Sequence, residues 1–222
     1  MKIPWAKKYT LDDLNYAFKD QKSLRESVKI LIVDDQPLSF IDSLRSFGYN
    51  VTKKDKWDNF LDAEPYDVIV SDIKGVADKF GTVRGEGAFI LHHIQRDYPS
   101  KGCLVYTSAA LSSEYIAMCH GLKLIEKNDD VNDWINSLDE VIAEIKDPKR
   151  IWYKIERILE GYSNLSRAYI RQVENNYVKA LVKKNGNMDI FGETTIINKF
   201  DLNILTHLAE AASKILPILS IQ

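Results

Sequence analysis

The sequence predicts a doubly wound α/β domain, a five-stranded parallel sheet with helices on both faces, followed by an α-helical extension. Three observations predict it. Five short apolar runs alternate with segments whose apolar residues recur at helical spacing. Two of those runs are almost continuously hydrophobic, as strands buried on both faces require. The runs also end on acidic, hydroxyl or basic residues, where open parallel sheets place their ligand sites. The 222 residues are 45% hydrophobic and 28% charged, with 10 Gly and 6 Pro, which excludes a disordered, collagen-like or low-complexity chain.

The first strand is Val28 to Val33 (VKILIV), stopped by Asp34-Asp35. Pro37 suits the first turn of a helix over 36–47, with Leu38, Ile41, Leu44 and Phe47 on one face, and Gly48 ends it. Tyr49 to Thr52 reads as the second strand, and a brief helix near 56–62 offers Trp57, Phe60 and Leu61. Tyr66 to Ser71 (YDVIVS) is the third strand, ended by Asp72; a loop and a helix over 86–97 follow. Gly102 to Tyr106 is the fourth strand, ended by Thr107-Ser108, and 111–119 is helical. Leu122 to Ile125 is the fifth, ended by Glu126-Lys127. Asp129 or Asp130 then caps a long helix carrying Val131, Trp134, Ile135, Leu138, Val141, Ile142 and Ile145.

The organisation expected is an N-terminal helical extension (1–27), a domain over 28–146 and a helical C-terminal domain over 147–222. Pro148 disfavours helix at Asp147 and marks the second boundary. In the first segment, Leu11, Leu14 and Phe18 lie on one face, with Thr10 or Asp12 as cap. Beyond 150, apolar faces mark three helices, the last carrying Leu202, Leu205, Leu208, Ala212, Ile215 and Leu219. The stretch 177–191 reads either as the end of the second helix or as a hairpin turning at Asn185-Gly186. Trp152, Tyr153, Tyr162, Tyr169 and Tyr177 suit a helical core or interface.

Charge divides along the same lines. Residues 28–146 hold 13 basic and 20 acidic side chains, whereas 1–27 hold 6 and 4 and 147–222 hold 11 and 8. The total is −2, so no overall basic field recommends nucleic acid, and the C-terminal cations are dispersed rather than gathered on one recognition helix. Two cysteines, Cys103 and Cys119, are too few for a disulfide framework and suit a reducing compartment. The start, MKIPWAKKYT, has no apolar core of a signal peptide, and no run reaches the ~18 apolar residues of a membrane span, so a cytoplasmic protein is expected.

The strand ends bring Asp34, Asp35, Asp72, Thr107, Glu126 and Lys127 to one rim. Close carboxylates repel one another unless a cation sits among them. A hard divalent ion with oxygen ligands is the natural solution, and Mg²⁺ pairs few carboxylates with waters and phosphate. An aspartate beside such an ion can attack phosphorus. Lys127 can hold one phosphoryl oxygen as a point charge, and the Thr107 hydroxyl can hydrogen-bond another.

With those residues in place, the segment 28–146 resembles the receiver domain of two-component response regulators. The matching residues are Asp34-Asp35 in ILIVDDQP, Asp72 in VIVSD, Thr107 in LVYTSA and Lys127 in LIEK. The resemblance implies a flavodoxin-like strand order, 2-1-3-4-5. It implies that Asp72 is the phospho-acceptor, with Thr107, Lys127 and Asp34 serving the reaction. It further implies Mg²⁺ held directly by Asp35 and Asp72 and by the backbone carbonyl of Lys74, with Asp34 acting mainly through water. A histidine kinase or phosphotransfer protein is the implied phosphodonor. The expected output is a protein partner met through the C-terminal helices, or a homodimer, in a bacterial phosphorelay without enzymatic activity beyond the turnover of its own acyl phosphate.

Several residues depart from that pattern. The loop Ile73 to Gly85 is long and carries Lys74, Lys79 and Arg84; it reads equally as a gate over the site or as a solvated loop. Asn128 follows Lys127 where receivers have Pro, and Leu124 stands where an aromatic switch residue is common. His92-His93 point apart on a helix and do not suit one metal, and His207 lacks the Lys-Gly of a phosphotransfer helix. Two other functions compete: a receiver-shaped binding module that needs no phosphorylation, and a haloacid dehalogenase-type phosphatase. The second wants Asp-x-Asp after the first strand, where this chain has Asp34-Asp35-Gln36.

Overall fold

The computed structural model of the chain describes residues 8–81, 86–107, 113–126, 130–184, 190–191 and 196–221. They divide into two compact units: residues 20–145, and a unit made of 1–19 together with 146–222.

The first unit is the α/β domain. Its strands are β2 (Lys29–Val33), β3 (Asn50–Lys54), β4 (Val68–Asp72), β5 (Gly102–Thr107) and β6 (Lys123–Glu126). They form a five-stranded sheet in the order β3-β2-β4-β5-β6, every pair parallel. Numbered within this sheet alone, that is the 2-1-3-4-5 order expected from the resemblance. Its helices are α1 (Gln21–Glu26), α2 (Ile41–Ser46), α3 (Glu86–Asp97), α4 (Ser113–Met118) and α5 (Val131–Lys146), the last with its final residue in the other unit. The three interior strands, β2, β4 and β5, are buried on both faces apart from Lys29, which explains the unbroken hydrophobicity of the first and third runs. Alternate residues serve opposite layers. Leu31, Val33, Ile69, Cys103 and Val105 pack with α3 through Ala88, Ile90, Leu91 and Ile94. On the other face Tyr106 meets Trp134 of α5 edge-on at 5.1 Å, and Trp134 meets Phe40 at 4.3 Å.

Local chemistry sets the helix ends. Asp130 Oδ1 accepts the N–H of Asn132 (2.7 Å) and Asp133 (3.1 Å), which starts α5 where the sequence places it. Two helices are shorter than expected. The helix predicted over 36–47 begins only at Ile41; Asp34 Oδ1 takes the Gln36 N–H at 2.6 Å in an Asx turn, and Pro37 keeps Gln36 itself out of helical backbone. The helix expected near 56–62 is a single 3₁₀ turn, Phe60–Ala63, capped by Asn59.

The second unit carries α6 (Pro148–Glu160), α7 (Arg167–Val182) and α8 (Lys199–Ile215). Pro148 occupies the first turn of α6 and Asp147 caps it, accepting from Lys149 and Arg150. Ile151, Trp152, Ile155, Leu159, Val173, Tyr177, Leu205 and Leu208 are buried, and the Trp152 and Tyr177 rings lie 5.5 Å apart. Of the alternatives at 177–191, residues up to Val182 are helical, and the Asn185-Gly186 turn lies outside the described residues. Two expectations are corrected here. Leu219 does not continue the last helix: Pro217 cannot donate to the helical ladder, so α8 ends at Ile215 and a 3₁₀ turn leads to β7 (Leu219–Ile221). The stretch from Leu11 to Phe18 is not one amphipathic helix. It is a 3₁₀ turn (Leu11–Asp13) followed by β1 (Tyr16–Phe18), which pairs antiparallel with β7. Tertiary pairing overrides the helical spacing there.

Candidate functional site

The carboxylates expected at the strand ends do meet. Asp34, Asp35 and Asp72 each present an oxygen within 4.8 Å of the others. Asp34 is fully buried and Asp72 is 7% exposed, while Asp35 is open to solvent. The first pair follows β2, whose register with β3 runs on one more step, the Asp34 N–H donating to Lys54 O at 3.0 Å. Gln36 returns its side-chain amide to Asp35 Oδ1 at 3.1 Å. The turn therefore aims one acid inward and one outward.

Asp72 closes β4, and the structure beneath it is tightly specified. Its Oδ1 accepts the Ile73 N–H at 2.7 Å. The buried Trp57 donates its indole N–H to Ser71 Oγ (3.1 Å), and Ser71 Oγ donates to the Asp72 carbonyl (2.9 Å). Gly87, in the first turn of α3, comes so close that a Cβ there would lie 1.8 Å from the Asp72 carbonyl oxygen. Gly75, with φ +78°, runs past Asp35, and a Cβ there would lie 2.7 Å from Asp35 Oδ2. Neither glycine nor Trp57 stands out as a site residue in the sequence. A glycine inside a helical pattern is the one available signal, and it points only to a close approach.

The other expected residues fall as follows. Thr107 is the last residue of β5, nine-tenths buried, beside Glu126 in the register with β6. Lys74 is exposed in the bend after Asp72. Lys127, Ser108, Asn128 and Arg84 lie outside the described residues. Leu124, at the position where an aromatic was expected, is 39% exposed.

The loop after β4 is anchored along its described part. Trp57 N–H donates to Val76 O at 2.8 Å, the Phe60 and Phe80 rings meet at 4.9 Å, and Lys56 pairs with Asp78. Lys79 does not face the carboxylates; it pairs with Asp58. Lys54 joins Asp58 (2.6 Å) and Asp62 (2.7 Å). Hydrogen bonds from Lys54 and Lys79 pull the Asp58 carboxyl down to about 2.

The histidines have ordinary roles. His92 Nε2 is 2.8 Å from the Met118 carbonyl and His93 Nδ1 is 3.0 Å from the Phe89 carbonyl, so each of those nitrogens carries a proton. His207 lies 3.7 Å from Glu210 on α8. Cys103 and Cys119 are both buried, and burial pushes the Cys119 thiol up. In the second unit, an open groove of about 530 Å³ between residues 8–10 and α7 mixes Lys8 and Arg171 with Glu174. No helix among the described residues is long and apolar enough to cross a membrane.

No protein-family profile matches the chain, and no curated protein does. Solved structures do. A CheY-like response regulator receiver domain protein from Methanospirillum hungatei is 23% identical, with a TM-score of 0.43, over 53% of this chain and 94% of its own. A response regulator from Thermotoga maritima is 17% identical, with a TM-score of 0.42, over 52% of this chain and 97% of its own. The beryllofluoride-activated NtrC4 receiver domain dimer is 20% identical, with a TM-score of 0.42, over 53% of this chain and 98% of its own.

Proposed function

We propose that the chain is a response regulator-like signalling protein that accepts a phosphoryl group on Asp72. The observation that carries this reading is the meeting of three carboxylates at the carboxyl end of a parallel sheet, two of them buried. Buried, mutually close carboxylates are costly unless a cation joins them. The oxygen-only donor set fits a hard divalent ion such as Mg²⁺. Asp35, Asp72 and the Lys74 carbonyl would hold it directly and Asp34 through water. When bound, the ion offsets the negative charge that builds on a transferring phosphoryl group.

The chain's own groups supply the rest. A carboxylate oxygen of Asp72 attacks phosphorus as the donor's P–N or P–O bond breaks, and the donor leaves with that electron pair. The donor would be a histidine kinase, a phosphotransfer protein or a small acyl phosphate. The Thr107 hydroxyl donates to one phosphoryl oxygen, and the Lys127 ammonium balances another. Water later cleaves the acyl phosphate and restores the carboxylate. The Ser71–Trp57 hydrogen bonds and the Gly87 contact hold the acceptor backbone still, so little reorganisation accompanies attack. A bond from Thr107 that exists only in the phosphorylated state gives the fold something to report, with the helical unit as output.

The test is incubation of the full chain with Mg²⁺ and a small acyl phosphate, read by intact mass. An adduct of about +80 Da is expected, and it should vanish in Asp72→Asn. No adduct, or one that survives that substitution, overturns the reading.

A further inference from the structure

The turn after β3 and the loop after β4 run side by side past Asp35. Trp57 N–H binds Val76 O at 2.8 Å, and Gly75 passes so near Asp35 that a methyl group there would touch its carboxylate oxygen at 2.7 Å. Next to that bond, one residue before Trp57 and two after Val76, Lys56 pairs with Asp78, with side-chain exposures of 48% and 61%. Of the neighbouring lysines, Lys53 pairs with Asp55, Lys54 with Asp58 and Asp62, and Lys79 with Asp58, while Lys74 is exposed in the same loop two residues after Asp72.

We propose that the Lys56–Asp78 ion pair is a charge-balancing positioning device that sets how tightly the Asp34–Asp35–Asp72 cluster holds a divalent cation. This rests on the cation-site reading above. The pair is neutral as a whole, so it hardly repels an incoming cation. Each half alone would bear on the cluster with opposite sign. Without the ammonium, the Asp78 carboxylate adds a fourth negative charge near the rim. Without that carboxylate, the Lys56 ammonium is left to the pull of Asp35 and Asp55 and competes with the ion. The Asp78 carboxylate already favours the charged form of Lys56, and Asp35 adds to that in the same direction, which is the sign the competition needs. Both side chains are partly solvated, so the effect is modest and salt-dependent.

The experiment is Mg²⁺ titration of the full chain by calorimetry at low ionic strength. Lys56→Gln should bind about threefold more tightly than the wild type and Asp78→Asn about threefold more weakly, as Coulomb interactions through largely solvated surroundings allow. The double variant should return close to the wild-type affinity, and Lys56→Arg should match it. These differences should shrink as salt is raised. Lys22→Gln, which removes an exposed lysine paired with Glu26, is the control for net charge and should leave the affinity unchanged. Unchanged or weaker binding in Lys56→Gln, or an equal gain in Lys22→Gln, overturns the proposal while leaving the cation site standing. Absence of saturable binding in the wild type, or its persistence in Asp35→Asn, overturns the site and the proposal together.

Discussion

At the residue scale, the acids at the strand ends can be read from sequence because their chemistry is carried by residue type and position. Asp34, Asp35 and Asp72 follow apolar runs and have no apolar role to play. Their supports are different. Gly87 matters because a carbonyl lies where its side chain would be, and Trp57 because its indole reaches Ser71 across 14 residues. Nothing about a tryptophan in a short apolar patch announces a hydrogen bond to a particular hydroxyl. Gly87→Ala forces a methyl group into the Asp72 carbonyl and should cost about 3 kcal/mol or more in denaturant unfolding. Trp57→Phe keeps much of the apolar burial but leaves the Ser71 hydroxyl without its donor, and should cost about 1–2 kcal/mol. Both should also slow phosphorylation of Asp72. Full stability and full rate in Gly87→Ala would contradict the close approach described.

At the scale of elements, α1 and α5 are tied by a polar cluster that periodicity does not reveal. Arg25 grips Asp139 with Nε and Nη2, at 2.9 and 2.6 Å, and the Tyr49 hydroxyl donates to the same carboxylate at 2.6 Å. Burial alone would raise the Asp139 carboxyl, but the Arg25 and Tyr49 hydrogen bonds outweigh it and hold it below its ordinary value. The sign of the pH dependence follows. A carboxyl depressed in the folded state contributes its stability in full above its unfolded value and loses it as pH falls through the folded one. Asp139→Asn should therefore lower unfolding stability by about 2 kcal/mol at neutral pH, as loss of a charged hydrogen-bonded pair does. The difference from the wild type should narrow as pH falls below the ordinary aspartate range. Urea titrations of both proteins across that range check it, and a difference that stays constant with pH would refute the linkage.

At the scale of the whole molecule, the two ends of the chain belong to one unit. β1 and β7 pair with Tyr16 opposite Ile221 and Phe18 opposite Leu219. Leu14 is buried, Tyr16 OH donates to Asp147 Oδ1 at 2.7 Å, and Leu11 N–H donates to Glu174 at 2.8 Å. Residues 8–19 are therefore structural parts of the unit that holds α6, α7 and α8. A chain lacking residues 1–19 should lose about 3 kcal/mol or more from that unit, from one leucine's burial and its hydrogen bonds. Hydrogen exchange should show it as faster exchange in α6–α8, and unchanged protection there would contradict the pairing.

The sequence by itself determined the α/β class, the five strands and the acids that end them. Each of those is a local matter of apolar runs, backbone preference and the residue that stops a strand. Tertiary structure decided the rest. It turned the helical-looking stretch from Leu11 to Phe18 into a 3₁₀ turn followed by β1, because a partner strand some 200 residues away supplies the hydrogen bonds of β1. It pinned Lys79 to Asp58 instead of over the site, and it set Lys56 and Asp78 together. Pairings of that kind depend on which distant groups the fold brings within reach, and spacing along the chain does not encode them.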